Sequence, residues 1–249
     1  MMWKISVFLS VTVFAFASAA VSDNPEYILQ CSRSDPQLIQ CLTKALHHLR
    51  PYLSNGIKEI ELPSVEPFIM DSLSLQLTGG PQGYRINLKN LEVLGASNFT
   101  VKKIKLSEND EPFEARIYIP RLTIQAKYTS SGVLIIIPAS GGGEFHAVFD
   151  GVHADLSGKV STEKRNGETY MHVDKLEMVL DVKKPKMSVA KIFNNNRILN
   201  QATNLFLKEN GHEILKAMQP QLHKKLASEF AKIGNQLLKH VPIEKFLTD

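Results

Sequence analysis

The sequence predicts an α+β fold, in which one long C-terminal helix is wrapped in a highly curved antiparallel β-sheet with an N-terminal helix beside it. Three changes of hydrophobic period carry that reading. Between Leu38 and Leu53 apolar residues recur at steps of three and four; from about Glu59 to Lys191 the step becomes two; from about Arg197 to His240 it returns to three and four. A long apolar helix stripe needs an equally long apolar partner, and the curled sheet is the only candidate of that size. Such a pairing either encloses an elongated hydrophobic cavity or packs solid, and periodicity alone describes both.

The N-terminal helix opens at "SDPQLIQCL", where Ser34 is placed to cap, Gln37 to reach back as in a capping box, and Pro36 to occupy the first turn. Leu38, Leu42, Ala45, Leu46, Leu49 and Leu53 give it one apolar face; Pro51 permits a late kink and Asn55-Gly56 stops it. The strands follow as "SLSLQL", "YRINLKNLEV", "TVKKIKL", "FEARIYIPRLTIQAKY", "VLIIIP", "FHAVFDGVHADLSGKV" and "YMHVDKLEMVLDV". Gly79-Gly80-Pro81, Ser130-Ser131-Gly132 and Asn166-Gly167 mark turns between them, so the zone reads as an antiparallel meander. Pro120 and Gly95 interrupt it and suggest the bends or bulges that let a long sheet curl.

The last zone has room for a helix of roughly 60 Å at 1.5 Å per residue. Leu199, Ala202, Phe206, Leu215, Met218, Leu222, Leu226, Phe230, Ile233 and Leu237 form its stripe. Asn210-Gly211 is a strong turn signal inside this pattern, yet Leu207, Gly211, Leu215, Met218 and Leu222 carry the stripe straight through it. The expectation is one helix, kinked at Pro220.

Residues 1–20, "MMWKISVFLSVTVFAFASAA", combine a lysine, a short apolar run and small residues of the Ala-x-Ala kind, which reads as a secretory signal peptide ahead of a single domain over 21–249. The run is short of the roughly 20 residues that span a bilayer. Removing Lys4 changes the balance of 29 basic and 25 acidic residues to 28 and 25, a mature charge of +3 that selects no partner. No basic run with interleaved aromatics suggests nucleic acid. Trp3, the only tryptophan, leaves with the signal. In an oxidising compartment Cys31 and Cys41, the only cysteines, are expected to pair, closing a loop worth about 2–3 kcal/mol on the chain-entropy account. "NFT" at Asn98 to Thr100 is a glycosylation sequon in an exported chain.

A search for catalytic sets is mostly empty. The sequence has no Gly-x-Ser-x-Gly elbow and no phosphate-binding loop; "HEILK" places Lys216 where a zinc helix needs its second histidine; "STEK" and "SVAK" lack their companion motifs. "ASGGGEF" misses the dinucleotide spacing because His146 stands at the last position, and turn or bulge is the better reading. His47 and His48 face different sides of a helix, while His146, His153 and His172 alternate with apolar residues as solvent-facing strand positions do. No metal or other cofactor is called for, and no enzyme.

What remains is long apolar surface. A gap along the sheet and helix interface would suit an extended apolar ligand, whose burial at about 25 cal/mol per Å² suffices for tight binding without a charge partner. Tyr84, Tyr118, Tyr128 and Tyr170 are candidates to hold its polar end, since a phenol sits in an apolar wall while hydrogen-bonding an ester, epoxide or ketone; each such tyrosine is more often simply an amphipathic strand residue. Phe206, Leu207, Leu215, Met218 and Leu222 are expected to be buried, against core or ligand.

Three segments resemble the insect juvenile-hormone-binding and takeout-like proteins: "CSRSDPQLIQCLTKALHHLRPYLSNGIKEIELPSVEPF", "IPRLTIQAKYTSSGVLIIIPASGGGEF" and "IFNNNRILNQATNLFLKENGHEILKAMQPQLHKKLASEFAKIGNQLLKHVPIEKFL". They occur in the family's order and cover nearly the whole mature chain. The resemblance implies the wrapped-helix fold with an elongated hydrophobic cavity. It further implies carriage of juvenile hormone, related terpenoids or fatty molecules in insect fluids, with links to feeding, circadian output and chemosensory tissue. It also places Asn210-Gly211 well inside the helix, where relatives carry Asn-Trp, so Gly211 is expected to widen the cavity. The leading expectation is a secreted, monomeric carrier of a small lipophilic ligand, without nucleic-acid binding or stable membrane insertion. The alternative is a lipid-transfer or membrane-active protein, and a hormone esterase comes third for want of a nucleophile motif.

Overall fold

The fold is taken from a computed structural model that describes residues 24–76, 83–107, 111–134, 137–138, 140–190 and 197–249. The expected signal segment with Trp3 and the Gly79-Gly80-Pro81 turn lie outside these residues, as does the run from 191 to 196 that precedes the last helical zone.

A two-residue strand, β1 (Cys31–Ser32), is joined by the Cys31–Cys41 disulfide to helix α1 (Leu38–Asn55). The first turn is closed by Asp35, whose Oδ1 accepts the Gln37 N–H at 2.7 Å. This corrects the expected Ser34 cap and Gln37 capping box: Pro36 has no N–H to offer, so Gln37 supplies the first free donor and is itself the N-cap, without a side-chain cap bond. Gly56, at φ 79°, ends the helix where Asn55-Gly56 signalled it, and a Cβ there would lie 2.8 Å from the Leu62 carbonyl oxygen.

Six strands form the main sheet: β2 (Phe68–Gln76), β3 (Arg85–Leu94), β4 (Thr100–Lys105), β5 (Phe113–Ser131), β8 (Gly141–Arg165) and β9 (Glu168–Ala190). A small hairpin of β6 (Val133–Leu134) and β7 (Ile137–Pro138) interrupts the run. The order is β2-β3-β5-β8-β9, with β4 beside the first half of β5 and β3 beside its second half. Every pairing in it is antiparallel. The sheet does not close on itself, so β2 and β9 present edges.

Apart from a second change in β9 between Val173 and Leu176, each of the five strands on that path changes its inward face once. The sequences there are "MDSL" (70–73), "LKNL" (88–91), "IPRL" (119–122), "FDGV" (149–152) and "VKKP" (182–185), and in all five the first and last residues face the core although they lie three apart. A flat strand cannot do this, because alternation puts residues three apart on opposite faces. Asn90 (φ 49°) and Gly151 (φ 67°) supply left-handed backbone at two of the crossings. The result is a corner running obliquely across the sheet, with a charged outer row in which Arg121 donates to Asp150 at 2.6 Å. Pro120 sits on the corner as expected. Gly95 (φ 94°) adds a close approach, since a Cβ there would collide with the Arg121 carbonyl oxygen.

The C-terminal zone holds α2 (Arg197–Glu209), α3 (Gly211–Leu238) and a short α4 (Ile243–Phe246), followed by β10 (Leu247–Thr248), which pairs in parallel with β1. The expected single helix is therefore two. Asn210 has φ −112° and ψ 23°, and both its backbone N–H and its side-chain amide bond the Phe206 carbonyl at 2.9 Å, which ends α2. Pro220 lies within α3 without ending it, so the interruption falls at Asn210 instead of at the proline.

Two apolar cores follow. The larger joins Phe68, Met70, Leu88, Phe149, Val152 and Val182 of the sheet to Ile214, Leu215 and Met218 of α3. The smaller gathers Tyr27, Leu49, Ile57, Ile60, Leu62 and Val241 around the far end of α3, where Ile233 and Leu237 pack. At about 1.5–3 kcal/mol per fully buried large side chain, these two clusters are the main stabilising contribution.

Candidate functional site

Helix α3 fills the gap between the two sheet edges, and side chains on its flanks hydrogen-bond the strand backbone that no further strand satisfies. On β2, Gln221 accepts the Gln76 N–H and donates to the Gln76 carbonyl, both at 2.8 Å. On β9, Asn235 accepts the Val173 N–H at 2.7 Å and donates to its carbonyl at 3.0 Å. Asn204 of α2 treats Val189 in the same way, at 2.8 and 3.0 Å. Leu180 is held by two residues one turn apart: Gln219 donates to its carbonyl at 2.8 Å and His223 accepts its N–H through Nε2 at 3.0 Å. A carboxamide carries one donor and one acceptor at the spacing of a peptide, so it can replace a neighbouring strand for one residue.

Gly211 belongs to this seam. It is buried, and a Cβ built on it would lie 3.0 Å from the Pro185 carbonyl oxygen and 3.8 Å from Met187 Cε. The widening expected there gives way to a close approach: the space a side chain would fill is occupied by the backbone of β9, whose edge α3 touches at this point.

Beside the Leu180 and Val173 clasps the helix and strand part, leaving an open groove of about 1290 Å³ that runs from His223 past Asn235 to Tyr170, Arg165 and Lys239. Its strand wall includes Val173, Leu176 and Met178; its helix wall includes Ala227, Ser228 and Ala231. Met178 and Ala227 are buried, at 6 % and 4 % exposure. The cause lies in side-chain length: where Gln219, His223 and Asn235 bridge to the strand, Ala227, Ser228 and Ala231 are too short to do so. Charged residues rim the opening, among them Arg165, Lys175, Glu177 and Lys224.

Of the residues singled out from sequence, Tyr128, Leu215 and Met218 are buried in the main core, against which Phe206, Leu207 and Leu222 also pack. Tyr84 is buried as well; desolvation raises its pKa, opposed by a hydrogen bond with Ser130. Tyr128 is pushed up to about 12, first by burial and then by the nearby Tyr84. These two phenols therefore stay protonated and able to donate at any physiological pH. Tyr118 stands elsewhere: its neighbour Ile119 faces the core, which puts Tyr118 on the outer face between His153 (ring centroids 5.0 Å apart) and Lys102 (5.5 Å). Tyr170 lines the groove with its ring 3.8 Å from the Arg165 guanidinium and its hydroxyl donating to Glu168 at 2.9 Å. Asn98 is exposed, and its Oδ1 accepts from Arg50 at 2.8 Å.

The seam residues Asn204, Gln219, Gln221, His223 and Asn235 were not found from sequence. The available signal was composition: carboxamides, not charges, border the apolar stripe of these helices. Burial pushes the His223 imidazole below its ordinary 6.5. Among the described residues there is no group of three or more His, Cys, Asp or Glu side chains placed to hold a metal ion. None of the described helices is long and apolar enough to cross a membrane.

A curved, unclosed antiparallel sheet with a long helix in its gap is the takeout-like fold. Takeout 1 of Epiphyas postvittana superimposes with a TM-score of 0.79 over 89 % of this chain and 100 % of that one, at 19 % identity. The family model of the haemolymph juvenile hormone binding proteins (JHBP) matches residues 9–248, and the chain belongs to that family, one of ligand-binding carriers and not of enzymes. Similar proteins include the circadian clock-controlled protein daywake of Drosophila melanogaster, 22 % identical over 89 % of this chain and 87 % of that protein. The daywake of Drosophila yakuba is 20 % identical over 83 % and 82 %.

Proposed function

We propose that this chain is a secreted, monomeric carrier that shields a small lipophilic molecule, such as juvenile hormone, a related terpenoid or a fatty molecule, between the curved sheet and α3. The observation that carries this is the groove of about 1290 Å³ on the β9 and α3 seam, with apolar walls beside a core free of buried charge among the described residues. Its volume exceeds the roughly 300–1,000 Å³ of ordinary small-ligand pockets, in keeping with an extended ligand. Family membership and the Cys31–Cys41 disulfide support carriage outside the cell. In the groove Val173, Leu176, Met178 and Ala227 would supply apolar contacts; Leu215, Met218, Phe206, Leu207 and Leu222, with Tyr84 and Tyr128 as donors, lie in the adjoining interior and would meet only a ligand that reaches past the groove. The test is organic extraction of protein purified from its native source, followed by mass spectrometry, together with saturable displacement of an apolar fluorescent probe by terpenoids and fatty molecules. Failure to bind any member of a broad lipophilic panel would refute the reading.

A second reading, action at bilayer surfaces, draws on α2. Ile198 and Leu205 are 77 % and 56 % exposed and lie two turns apart, with Arg197 and Lys208 at the helix ends. Cosedimentation with anionic vesicles separates it from the soluble carrier.

A further inference from the structure

The clasps along the seam differ in what acid does to them. Asn204 and Gln221 hold Val189 and Gln76 with carboxamides, which do not titrate in the physiological range. Both clasps that bound the groove involve an imidazole as acceptor. His223 Nε2 takes the Leu180 N–H directly. His172 Nε2 lies 3.2 Å from Asn235 Nδ2, the atom that also donates to the Val173 carbonyl, while His172 Nδ1 faces Asp174 at 3.1 Å. His212 also meets the β9 edge, but its Nε2 faces the Lys183 carbonyl at 3.2 Å, a contact that a protonated ring keeps.

We propose that the groove is latched by histidine: protonation of His223 frees β9 from α3 at Leu180 and opens the seam for exchange of an apolar ligand. The ligand half of this rests on the carrier function proposed above. A neutral imidazole has one lone pair, and at His223 the Leu180 N–H uses it. Once protonated, Nε2 carries a hydrogen that faces another N–H, while the carbonyl of the same residue, Leu180, already accepts from Gln219.

The charged groups around the groove leave His223 as the responsive element. On α3 these are Lys224 and Lys232, the latter paired with Glu229 at 3.0 Å. On β9 they are Asp174, bound by Ser161 and His172, and Lys175, paired with Glu177 at 2.7 Å. On β8 they are Glu163 and Arg165. None of these charges is a cause of the His223 shift, which comes from burial. A histidine depressed in the folded state gives stability that is full above its unfolded value of 6.5 and declines as pH falls toward the folded value, so the seam weakens on acidification.

The experiment compares wild type with His223→Gln, which offers a non-titrating acceptor at similar reach, at about pH 7.5 and about pH 5. Amide hydrogen exchange, corrected for intrinsic rate, reads the seam without any ligand. Protection of the Leu180 amide is expected to fall roughly five- to tenfold in acid in wild type, the loss of one hydrogen bond, and to stay level in His223→Gln. The Val189 amide, held by Asn204, is expected to stay level in both. Equal Leu180 protection at the two pH values, or the same fall in His223→Gln, overturns the latch. Stopped-flow release of an apolar naphthylamine probe reads the exchange: faster release in acid for wild type only supports the portal, and unchanged release despite Leu180 opening overturns it. Absence of probe binding at both pH values sinks the carrier function while the Leu180 result still decides the latch.

Discussion

Gly211→Ala and Gly234→Ala make the same chemical change in one helix and are expected to have opposite signs. Alanine in a helix interior is favoured over glycine by about 1 kcal/mol. At Gly234 a Cβ meets nothing within 4 Å, so most of that gain should be realised, about 0.5–1 kcal/mol of stabilisation. Gly211 opens α3, where propensity counts for less, and its Cβ would lie 3.0 Å from the Pro185 carbonyl oxygen, part of a strand backbone that cannot rotate aside. Overpacking of that kind costs about 1–3 kcal/mol, so the expected balance is a loss of about 1 kcal/mol. For a chain of this size each kcal/mol moves Tm by about 2–4 °C, within reach of urea or thermal unfolding followed by far-ultraviolet circular dichroism. Gly211→Trp, which must displace the strand, should lose more than about 3 kcal/mol. Stabilisation of Gly211→Ala equal to that of Gly234→Ala would show that the β9 edge yields freely and that close approach is not why glycine stands there.

Asn235→Ala removes both bonds to Val173 and should cost about 1–2 kcal/mol in urea unfolding, moderated because the adjoining groove admits water to the freed peptide. Tyr128, at about 12 against an ordinary 10.0, keeps its proton when the unfolded chain loses it; its contribution is full below pH 10 and is lost as pH rises through 12. Phenolate absorbance should therefore show Tyr128 ionising late, and Tyr128→Phe should lessen the alkaline loss of stability. Gly151→Val places a β-branched side chain at φ 67° and against Lys183, and should cost about 2 kcal/mol or more, read as a lowered urea midpoint. Glycosylation at Asn98 is expected in the secreted protein and is checked by the mass lost on peptide N-glycosidase treatment; the Arg50 bond uses Oδ1, not the Nδ2 that carries a glycan.

The fold was legible because period is a property of single elements: steps of two and of three to four locate strands and helices without knowledge of their partners. The corner was legible too, though it was read only at Pro120 and Gly95. Apolar residues three positions apart break strict alternation in each of the five path strands, twice in β9, and such breaks taken together mark the bending of the sheet better than any one proline. The seam was not legible, because a glutamine on a helix flank looks the same whether it meets water or a peptide. Gln219 and His223 acquire meaning only when Leu180, some forty residues away, is beside them. For the same reason Tyr118 and Tyr128 were indistinguishable: the face inversion at Pro120 lies between them and turns one outward and the other inward. Gly211 shows the limit in a different way, since its glycine answers to a carbonyl on another element.

Closing a sheet with a helix instead of with its own edges changes what opening costs. In a closed barrel, separating two strands breaks a continuous ladder, one backbone bond after another, each net about 0.5–1.5 kcal/mol and cooperative with its neighbours. Here β9 meets the helices through discrete side-chain clasps at Val173, Leu180 and Val189, with a groove between the first two. Freeing the stretch from Val173 to Leu180 therefore requires loss of two clasps, on the order of 2–6 kcal/mol from four such bonds, while the β8 and β9 ladder stays intact. An opening on the order of 2–6 kcal/mol is populated in roughly 0.005–4 % of molecules, at a factor of ten per about 1.4 kcal/mol, so it would be transient while the core stays closed. On the proposed carrier function, the apolar walls would determine what is held and the side-chain chemistry of the seam when it is exchanged.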